Sequence, residues 1–439
     1  MKTYFKDKLY SQKDLDISLI SWGDKDLTYN DLLLAYENTD LKEVKKGDVV
    51  ALVGDYNPKS IAFLFKLIDI GCIVVPLTED TKNQHNYFFE NAEVDWIISD
   101  NQISKYHAAI EDKNNFIKNL KSTSSPGLIL FSSGTSGKPK AILHNLDSFF
   151  ERYSNINKVM TTLSFLLFDH IGGLNTFFYS FFAGSKIVFP EGRDPNYIWK
   201  LIEKQNIELL PTSPTFLRLS KASVDFSSMS LENLKLITYG TELMEESLLH
   251  WYIDKFPHAD FRQTYGLSEL GILRIKGEEK NSLFITIGGK TEYKIIDNVL
   301  HIKAENPMLG YLNAENPFDK DGYYNTKDIV EKKGDYFKII ARETDLINIG
   351  GQKINPLDLE TFLLSISEIK DASVYGVPNK ILGNTLKLDV EFIQGLHLEK
   401  KELNKIILDK FPTIYRPSSI SFINEPQYNH RYKKMRKNE

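Results

Sequence analysis

Short apolar runs alternate with amphipathic stretches through most of the chain. VVALVG, CIVVPL, VDWIIS and KIVFP have the length and composition of buried strands. SIAFLFKLIDIG and LNTFFYSFFAG lie between such runs and have helical periodicity, and Gly71 ends the first of them. Strands separated by helices predict parallel sheets with crossover helices, so we expect an α/β fold.

The pattern changes near residue 283. LFITIGG, TEYKIID and NVLHIKA are short, closely spaced and alternating, which predicts an antiparallel, barrel-like subdomain over 283–341. Helix and strand patterns then return, with NPLDLETFLLSI and LEKKELNKIILDKF as helices. We therefore expect an N-terminal domain over 1–343 and a small α+β domain over 344–439.

Composition narrows the functional classes. The 439 residues carry a net charge of -5, which gives no indication of nucleic-acid binding. The single cysteine, Cys72, lies in an apolar run and excludes a disulfide framework and a cysteine zinc site. No apolar segment reaches signal-peptide or membrane-span length, so we expect a cytoplasmic protein without a membrane span.

The stretch LILFSSGTSGKPKAI (128–142) passes abruptly from apolar residues to hydroxyls, glycines and lysines. A surface turn explains the glycines and the proline, whereas a phosphate-binding loop also explains three hydroxyls beside two cations. The pattern differs from the common P-loop, because Gly134 and Gly137 are too close and Pro139 follows Lys138. Alone, the stretch leaves both interpretations open.

Further motifs follow in order: QTYGLSE, GYYNTKD, ARETDLINIGGQKINPLDLE and RYKKMR. Together with FSSGTSGKPKA they resemble the signature series of the adenylate-forming enzymes, which include acyl-CoA synthetases, luciferases and peptide-synthetase adenylation domains. The resemblance runs from about residue 24 to the C-terminus. It implies a large N-terminal domain, a small mobile C-terminal domain and an active site between them.

The resemblance also implies an activity. These enzymes convert a carboxylate and Mg-ATP to an acyl-adenylate and pyrophosphate, and many pass the acyl group to a thiol. Attack of a carboxylate on phosphate brings two anions together, so the reaction needs charge neutralisation and alignment. A non-catalytic homologue ranks last, because Glu269, Lys433 and the hydroxyl-rich loop are all present.

The motif positions imply roles for individual residues. The β- and γ-phosphates would be held by Ser132, Ser133, Gly134, Thr135, Ser136, Gly137 and Lys138. The rest of the nucleotide site would comprise Gly240 and Thr241 along the adenine, Tyr265 and Gly266 beside it, Asp328 at the ribose, and Arg342 at the ribose or a phosphate. Ser268 would contact the α-phosphate, and Glu269 would bind Mg²⁺ through a hard oxygen ligand.

The C-terminal motif places Lys433 at the family's catalytic lysine, with Lys434 as a neighbouring alternative. A solvated basic tail is the other interpretation of this segment. Tyr432 stands where the family has Gly, and Lys327 replaces another usual Gly. At the family's hinge position the chain has Thr344.

The acid substrate and the acceptor stay open. His170, in the sequence DHIGGL, matches a residue that lies beside the reacting carboxylate in many acyl- and aryl-CoA ligases, although a buried structural histidine would also fit. Phe168 and Asp169 also match a Phe-Asp pair of peptide synthetases, in which the Asp binds the amino group of an amino-acid substrate. We expect a small or medium carboxylate as substrate. The expected thiol is CoA, approached through Gly350 and Gly351, with carrier-protein pantetheine as the alternative.

Overall fold

The computed structural model describes residues 3–106, 113–132, 138–154, 156, 158–279, 282–424, 428 and 432. The α-helices of this part are α1 Tyr4–Gln12, α2 Tyr29–Glu37, α3 Pro58–Asp69, α4 His85–Asn91, α5 Asn115–Thr123, α6 Leu146–Glu151, α7 Ile171–Ala183, α8 Pro195–Lys204, α9 Pro214–Ser223, α10 Glu246–Lys255, α11 Pro356–Leu363 and α12 Lys400–Lys410.

The β-strands are β1 Ser18–Trp22, β2 Lys25–Thr28, β3 Val49–Val53, β4 Ile73–Leu77, β5 Trp96–Ser99, β6 Gln102–Lys105, β7 Gly127–Ser132, β8 Lys140–Asn145, β9 Thr162–Leu163, β10 Ile187–Phe189, β11 Leu209–Thr212, β12 Leu236–Tyr239, β13 Asp260–Gln263, β14 Gly266–Leu267, β15 Gly271–Ile272, β16 Ile275–Gly277, β17 Ile285–Ile287, β18 Glu292–Ile296, β19 Val299–Lys303, β20 Gly310–Tyr311, β21 Tyr324–Lys333, β22 Tyr336–Arg342, β23 Ile347–Ile349, β24 Gln352–Ile354, β25 Ile369–Asn379, β26 Gly383–Phe392 and β27 Ser419–Phe422.

Two seven-stranded sheets form the large part of the molecule. One has the order β13-β12-β11-β9-β10-β1-β2, and the other has the order β20-β8-β7-β4-β3-β5-β6. Strands β13 to β1 of the first sheet and β7, β4, β3 and β5 of the second are parallel, and antiparallel strands lie at the edges. The α/β fold predicted from the strand–helix alternation is confirmed.

Helices α3 and α7 lie between the two sheets, and their burial explains their sequences. Phe65 and Phe177 belong to one apolar cluster with strand residues of both sheets. Asn57 caps α3 in a reciprocal capping box, and Pro58 occupies its first turn. Gly184 ends α7 in the left-handed conformation. Burying each phenylalanine contributes about 1.5–3 kcal/mol, so this aromatic layer ties the two sheets together.

A six-stranded antiparallel sheet follows, in the order β16-β17-β22-β21-β19-β18. It begins at Ile275, a few residues before the predicted start near 283, because β16 pairs with β17 in a hairpin. The register of β21 and β22 sets Asp328 directly opposite Arg342. This pairing brings two predicted nucleotide-binding residues together.

The last part of the chain has its own apolar core. Strands β25, β26 and β27 form a three-stranded sheet, with α11 and α12 contributing to the same cluster. A short 3₁₀ turn over Glu343–Asp345 connects this part to β22. The 343/344 domain boundary stays a prediction. Within the described ranges, no helix combines the length and apolar character needed to cross a membrane.

Candidate active site

The carboxyl ends of the parallel strands form the floor of the candidate site. β7 ends at Ser132, β11 ends at Thr212, and Gly240 follows β12 directly. Ligands of open α/β sheets bind at such edges, because the strand-to-helix loops there present backbone and side-chain polar groups. A central cavity of about 620 Å³ opens at this edge.

Two adjoining cavities collect most of the predicted residues. The central cavity is lined, among others, by Ser132, His170, Gly240, Thr241, Gly266, Ser268, Glu269 and Arg342. The second cavity, of about 590 Å³, is lined by Thr241, Tyr265, Gly266, Asp328 and Arg342 together with residues of α11. The shared residues make the two cavities neighbouring compartments of one site.

Some predicted residues are not placed there. Ser133, Gly134, Thr135, Ser136, Gly137 and Lys433 lie outside the described residues. Lys138 is exposed and belongs to neither lining, so its phosphate role stays a prediction. Lys140, two residues further, does line the central cavity.

Glu269 is held in a polar cluster and is only 7% exposed. Its Oε1 accepts a hydrogen bond of 2.7 Å from the Tyr311 hydroxyl. Lys140 Nζ lies 4.8 Å from the centre of the Tyr311 ring. Burial, followed by the charge of Glu269, raises the pKa of Tyr311 and raises that of Tyr324 to about 12. Both phenols therefore stay protonated, and Tyr311 acts as a donor that orients the carboxylate.

His144 stabilises the segment that contains Ser268 and Glu269. Its Nε2 donates to the backbone carbonyl of Ser268 over 2.7 Å, and the ring is 2% exposed. Burial lowers the pKa of His144 to about 4, so the imidazole is neutral near pH 7 with its proton on Nε2. This bond fixes the backbone on which Ser268 and Glu269 stand.

Tyr265, Asp328 and Arg342 form a connected group at the second cavity. The Tyr265 hydroxyl donates to Asp328 Oδ2 over 2.6 Å, and Arg342 Nε lies 3.4 Å from Asp328 Oδ1. Burial raises the pKa of Asp328, while Arg342 and the tyrosine hydroxyl oppose that rise. The arrangement holds a buried carboxylate at the lining of this cavity.

Two glycines are required by close backbone approach. A Cβ at Gly240 would lie 2.2 Å from Thr264 Oγ1, and one at Gly266 would lie 2.5 Å from the carbonyl oxygen of Gly271. The next residue after Gly240, Thr241, has a positive φ of 69°. Gly240 lines the central cavity and Gly266 lines both cavities, so a larger residue at either position would displace Thr264 or Gly271 beside the site.

His170 is the N-cap of α7. Its Nδ1 accepts a hydrogen bond of 3.1 Å from the backbone N–H of Gly172. In a neutral ring the proton then sits on Nε2, so the imidazole is a potential donor at the central cavity it lines. A Cβ at Gly173 would lie 1.9 Å from the carbonyl oxygen of Leu167, which explains the second glycine of the motif.

The structure accommodates two residues, Lys327 and Thr344, that depart from the family pattern. Lys327 keeps a positive φ of 63°, and Asn325 Oδ1 accepts from its backbone N–H over 2.9 Å. Thr344 lines the central cavity, and its hydroxyl donates to Asp345 over 3.1 Å. Neither substitution removes the local turn.

Sequence reasoning missed His144, Tyr311 and Arg193. His144 and Tyr311 act on Ser268 and Glu269 from far along the chain, and Arg193 lines the central cavity. None of the three lies in a recognisable motif. Only the folded arrangement reveals them.

The comparisons with known proteins show the family of the chain. A family model described as "AMP-binding enzyme" matches residues 12–324. The chain belongs to the AMP-binding enzyme family. Among curated relatives of this family, rice (Oryza sativa subsp. japonica) 4-coumarate–CoA ligase 3 is 25% identical over 344 residues, which cover 70% of this chain and 62% of that enzyme. The chain thus spans less than two thirds of that relative.

A bacterial relative is covered more fully. The 2-succinylbenzoate–CoA ligase of Bacillus cytotoxicus is 24% identical over 437 residues, covering 89% of this chain and 87% of that enzyme. Among solved structures, the anthranilate CoA ligase AuaEII in complex with anthranoyl-AMP superposes with a TM-score of 0.80. It is 16% identical and covers 99% of this chain and 96% of its own, so this likeness supports the fold of the family.

Proposed function

We propose that this member of the AMP-binding enzyme family is an AMP-forming acid–thiol ligase. In the first step a carboxylate oxygen attacks the α-phosphorus of Mg-ATP, and the bond to the bridging oxygen breaks to release pyrophosphate. In the second step a thiol attacks the acyl-adenylate carbonyl, and AMP leaves as a thioester forms. The expected thiol is CoA. The observation that carries the proposal is the pair of adjoining cavities with the residues predicted for acid and nucleotide.

The nucleotide would lie along the wall that the two cavities share. Gly240 and Gly266 leave the backbone open to a flat base, and Asp328 is oriented to accept hydrogen bonds from ribose hydroxyls. Arg342 lines both cavities and supplies a cation beside that carboxylate. The α-phosphate would then reach Ser268 in the central cavity.

Mg²⁺ would enter with the ATP phosphates as part of the substrate. Among the described residues, no group of three or more His, Cys, Asp or Glu side chains is arranged to hold a metal. Glu269 by itself offers one carboxylate, which fits a small hard cation that takes its other oxygen ligands from phosphates and water. Neutralising phosphate charge there would lower the repulsion against the incoming carboxylate.

The acid would occupy the end of the central cavity beside α7. His170 lies there between the apolar Leu166 and Leu167 and the polar Asn175 and Thr176, so this wall combines apolar side chains with hydrogen-bonding groups. A donor at this position would hold the carboxylate that attacks phosphorus. Asp169 lines the same wall, which keeps amino acids in the panel of acids to be tested.

The thiol route would pass the β23–β24 hairpin. Gly350 and Gly351 form its tip with φ of 58° and 87°, and Asn348 Oδ1 accepts from the Gly351 N–H. A Cβ on Gly351 would meet nothing within 4 Å, so the tip leaves open space for an extended arm. Free CoA and a carrier-protein pantetheine share this arm, and the experiment below separates them.

The test is ATP–pyrophosphate exchange with aliphatic, aromatic and amino acids, followed by AMP release after adding CoA or a pantetheine-loaded carrier protein. We expect exchange that depends on one class of carboxylic acid and AMP release accelerated by CoA. Exchange without any thiol response, but with a response to an amine or hydroxyl acceptor, would contradict the thiol assignment. Absence of exchange with every acid would overturn the proposal.

A variant of the cavity histidine sharpens this test. His170→Asn keeps a strong N-cap for α7 but removes the Nε2–H at the cavity. We expect it to lower the acid-dependent exchange rate about a hundredfold. The exposed His250, replaced in the same way, is the matched control. Equal rates for the two variants would exclude His170 from the acid site.

A further inference from the structure

Tyr432 occupies an unusual backbone position for a large residue. It stands where the family pattern has Gly, one residue before Lys433. Its φ is 51°, in the left-handed region that residues with a Cβ disfavour. Glycine would adopt this conformation without strain, so the side chain must make contacts that compensate.

The Tyr432 ring is built into the core beneath the first seven-stranded sheet. It is 6% exposed and belongs to the apolar cluster of that sheet, with β11, α8, α9 and α10. Its centre lies 5.7 Å from that of Phe165, 5.3 Å from that of Phe216 and 5.2 Å from that of Tyr428. A residue of the C-terminal tail thus packs into the core of the large N-terminal part.

Hydrogen bonds hold both the hydroxyl and the backbone carbonyl of Tyr432. The hydroxyl donates to the backbone carbonyl of Arg193, and the Tyr432 carbonyl accepts from Ser213 Oγ over 2.9 Å. Ser213 caps α9 and follows β11, whose last residue, Thr212, lines the central cavity. The contact therefore lies on the outer side of the cavity wall.

Arg193 connects this docking position to the cavity. Its guanidinium lies 4.3 Å from the centre of the Phe165 ring and 5.9 Å from that of Tyr432, and the residue also lines the central cavity. Its Nε and Nη2 are buried without a hydrogen-bond partner in the described part of the chain. The charge of Asp55 and the two aromatic rings stabilise this buried cation.

We propose that Tyr432 is a positioning residue that docks the C-terminal tail on the cavity wall and so holds Lys433 for the adenylation step. The proposal rests on the proposed function for the role of Lys433. Lys433 follows Tyr432 directly in the sequence, and adjacent Cα atoms are about 3.8 Å apart, so docking of Tyr432 limits the reach of the catalytic lysine's backbone in this proposal. The buried ring replaces the flexibility of the usual glycine with a defined anchor.

The test compares three variants in the two half-reactions. Tyr432→Gly removes the anchor and the backbone strain together, Tyr432→Phe keeps the ring, and Tyr10→Ala is a control at an exposed tyrosine. We expect Tyr432→Gly to lower kcat and kcat/KM for ATP–pyrophosphate exchange together, by at least about tenfold. Tyr432→Phe should lose less, and thioester formation from supplied acyl-adenylate and CoA should change less than about twofold in every variant.

Hydrogen exchange of the intact chain supplies a readout independent of activity. We expect the peptide containing Tyr432 to lose protection in Tyr432→Gly and to keep most of it in Tyr432→Phe, with peptides of β3 and β4 unchanged. Equal losses in both half-reactions, or a tail equally protected in Tyr432→Gly and the unaltered protein, would overturn the proposal. If no acid supports exchange in the unaltered protein, the proposed function fails. The hydrogen-exchange protection of the peptide containing Tyr432 then decides by itself whether Tyr432 docks the tail.

Discussion

Replacing His144 with Gln should remove a defined part of the acid sensitivity of the fold. Burial lowers the pKa of His144 from 6.5 to about 4. Between these values the unfolded chain binds a proton that the folded chain excludes, so His144 lowers stability as the pH falls from 6.5 to 4. Integrating this uptake gives a loss of about 1.8 kcal/mol between pH 7 and pH 5, and about 3.4 kcal/mol at the acid limit.

Gln suits this comparison because its amide nitrogen can donate to the Ser268 carbonyl as Nε2 does, while it does not titrate. The assay is urea unfolding at pH 7, 6 and 5, with the free energy of unfolding of each variant subtracted from that of the unaltered protein. The subtraction is needed because burial raises the pKa of Asp69 to about 6, and Asp69 stabilises the fold as the pH falls.

We expect the stability advantage of the unaltered protein over His144→Gln to fall by about 1.8 kcal/mol between pH 7 and pH 5. His144→Leu is the companion variant, since it leaves the buried Ser268 carbonyl without its donor and should cost about 1–3 kcal/mol at pH 7. Parallel pH profiles for His144→Gln and the unaltered protein would refute the buried, neutral histidine.

Four further predictions concern the site. Glu269→Gln should weaken the response of exchange to Mg²⁺ more than it raises KM for the acid, because a phosphate-bound metal needs the full carboxylate charge; an unchanged Mg²⁺ titration would exclude it as a ligand. Lys433→Ala should abolish adenylate formation and spare thioester formation from supplied adenylate; loss in Lys434→Ala instead would shift the assignment by one residue. Asp328→Asn should raise KM for ATP about tenfold and leave acid binding unchanged in a competition assay, and an unaltered KM would contradict a ribose contact. Gly240→Ala places a Cβ 2.2 Å from a side-chain oxygen and should lower stability by about 1–3 kcal/mol in urea unfolding; full stability would show that the wall relaxes.

Much of the architecture was readable from local patterns. The strand predicted over 49–54 is Val49–Val53, and the helix predicted to be stopped by Gly71 ends at Asp69, with Ile70 as its C-cap. Such elements are encoded by periodicity and by residues that cap or break a helix, all within a few positions. The ordered motifs likewise indicated the family, which the comparisons confirmed. The roles of individual site residues stay predictions.

Other features depend on residues that are distant in sequence. Nothing in the strand sequence around His144 indicates that its ring supports Ser268, because the two are separated by 124 positions. Tyr311 likewise reaches Glu269 across 42 positions. A hydrogen bond of this kind depends on how sheets and loops meet, and it leaves no periodic signal in either segment.

Tyr432 shows most clearly which features follow from the sequence and which follow from the tertiary structure. The sequence determined the order of strands and helices, the glycines at turns and the candidate site motifs, since these depend on local backbone preferences. It marked Tyr432 only as a departure from a family glycine. The tertiary structure decided that the ring lies in the core of the first sheet, and that the Tyr432 backbone carbonyl accepts a hydrogen bond from Ser213, which is 219 positions away. Burial of a side chain is a property of what packs around it, and that environment exists only after distant segments have come together.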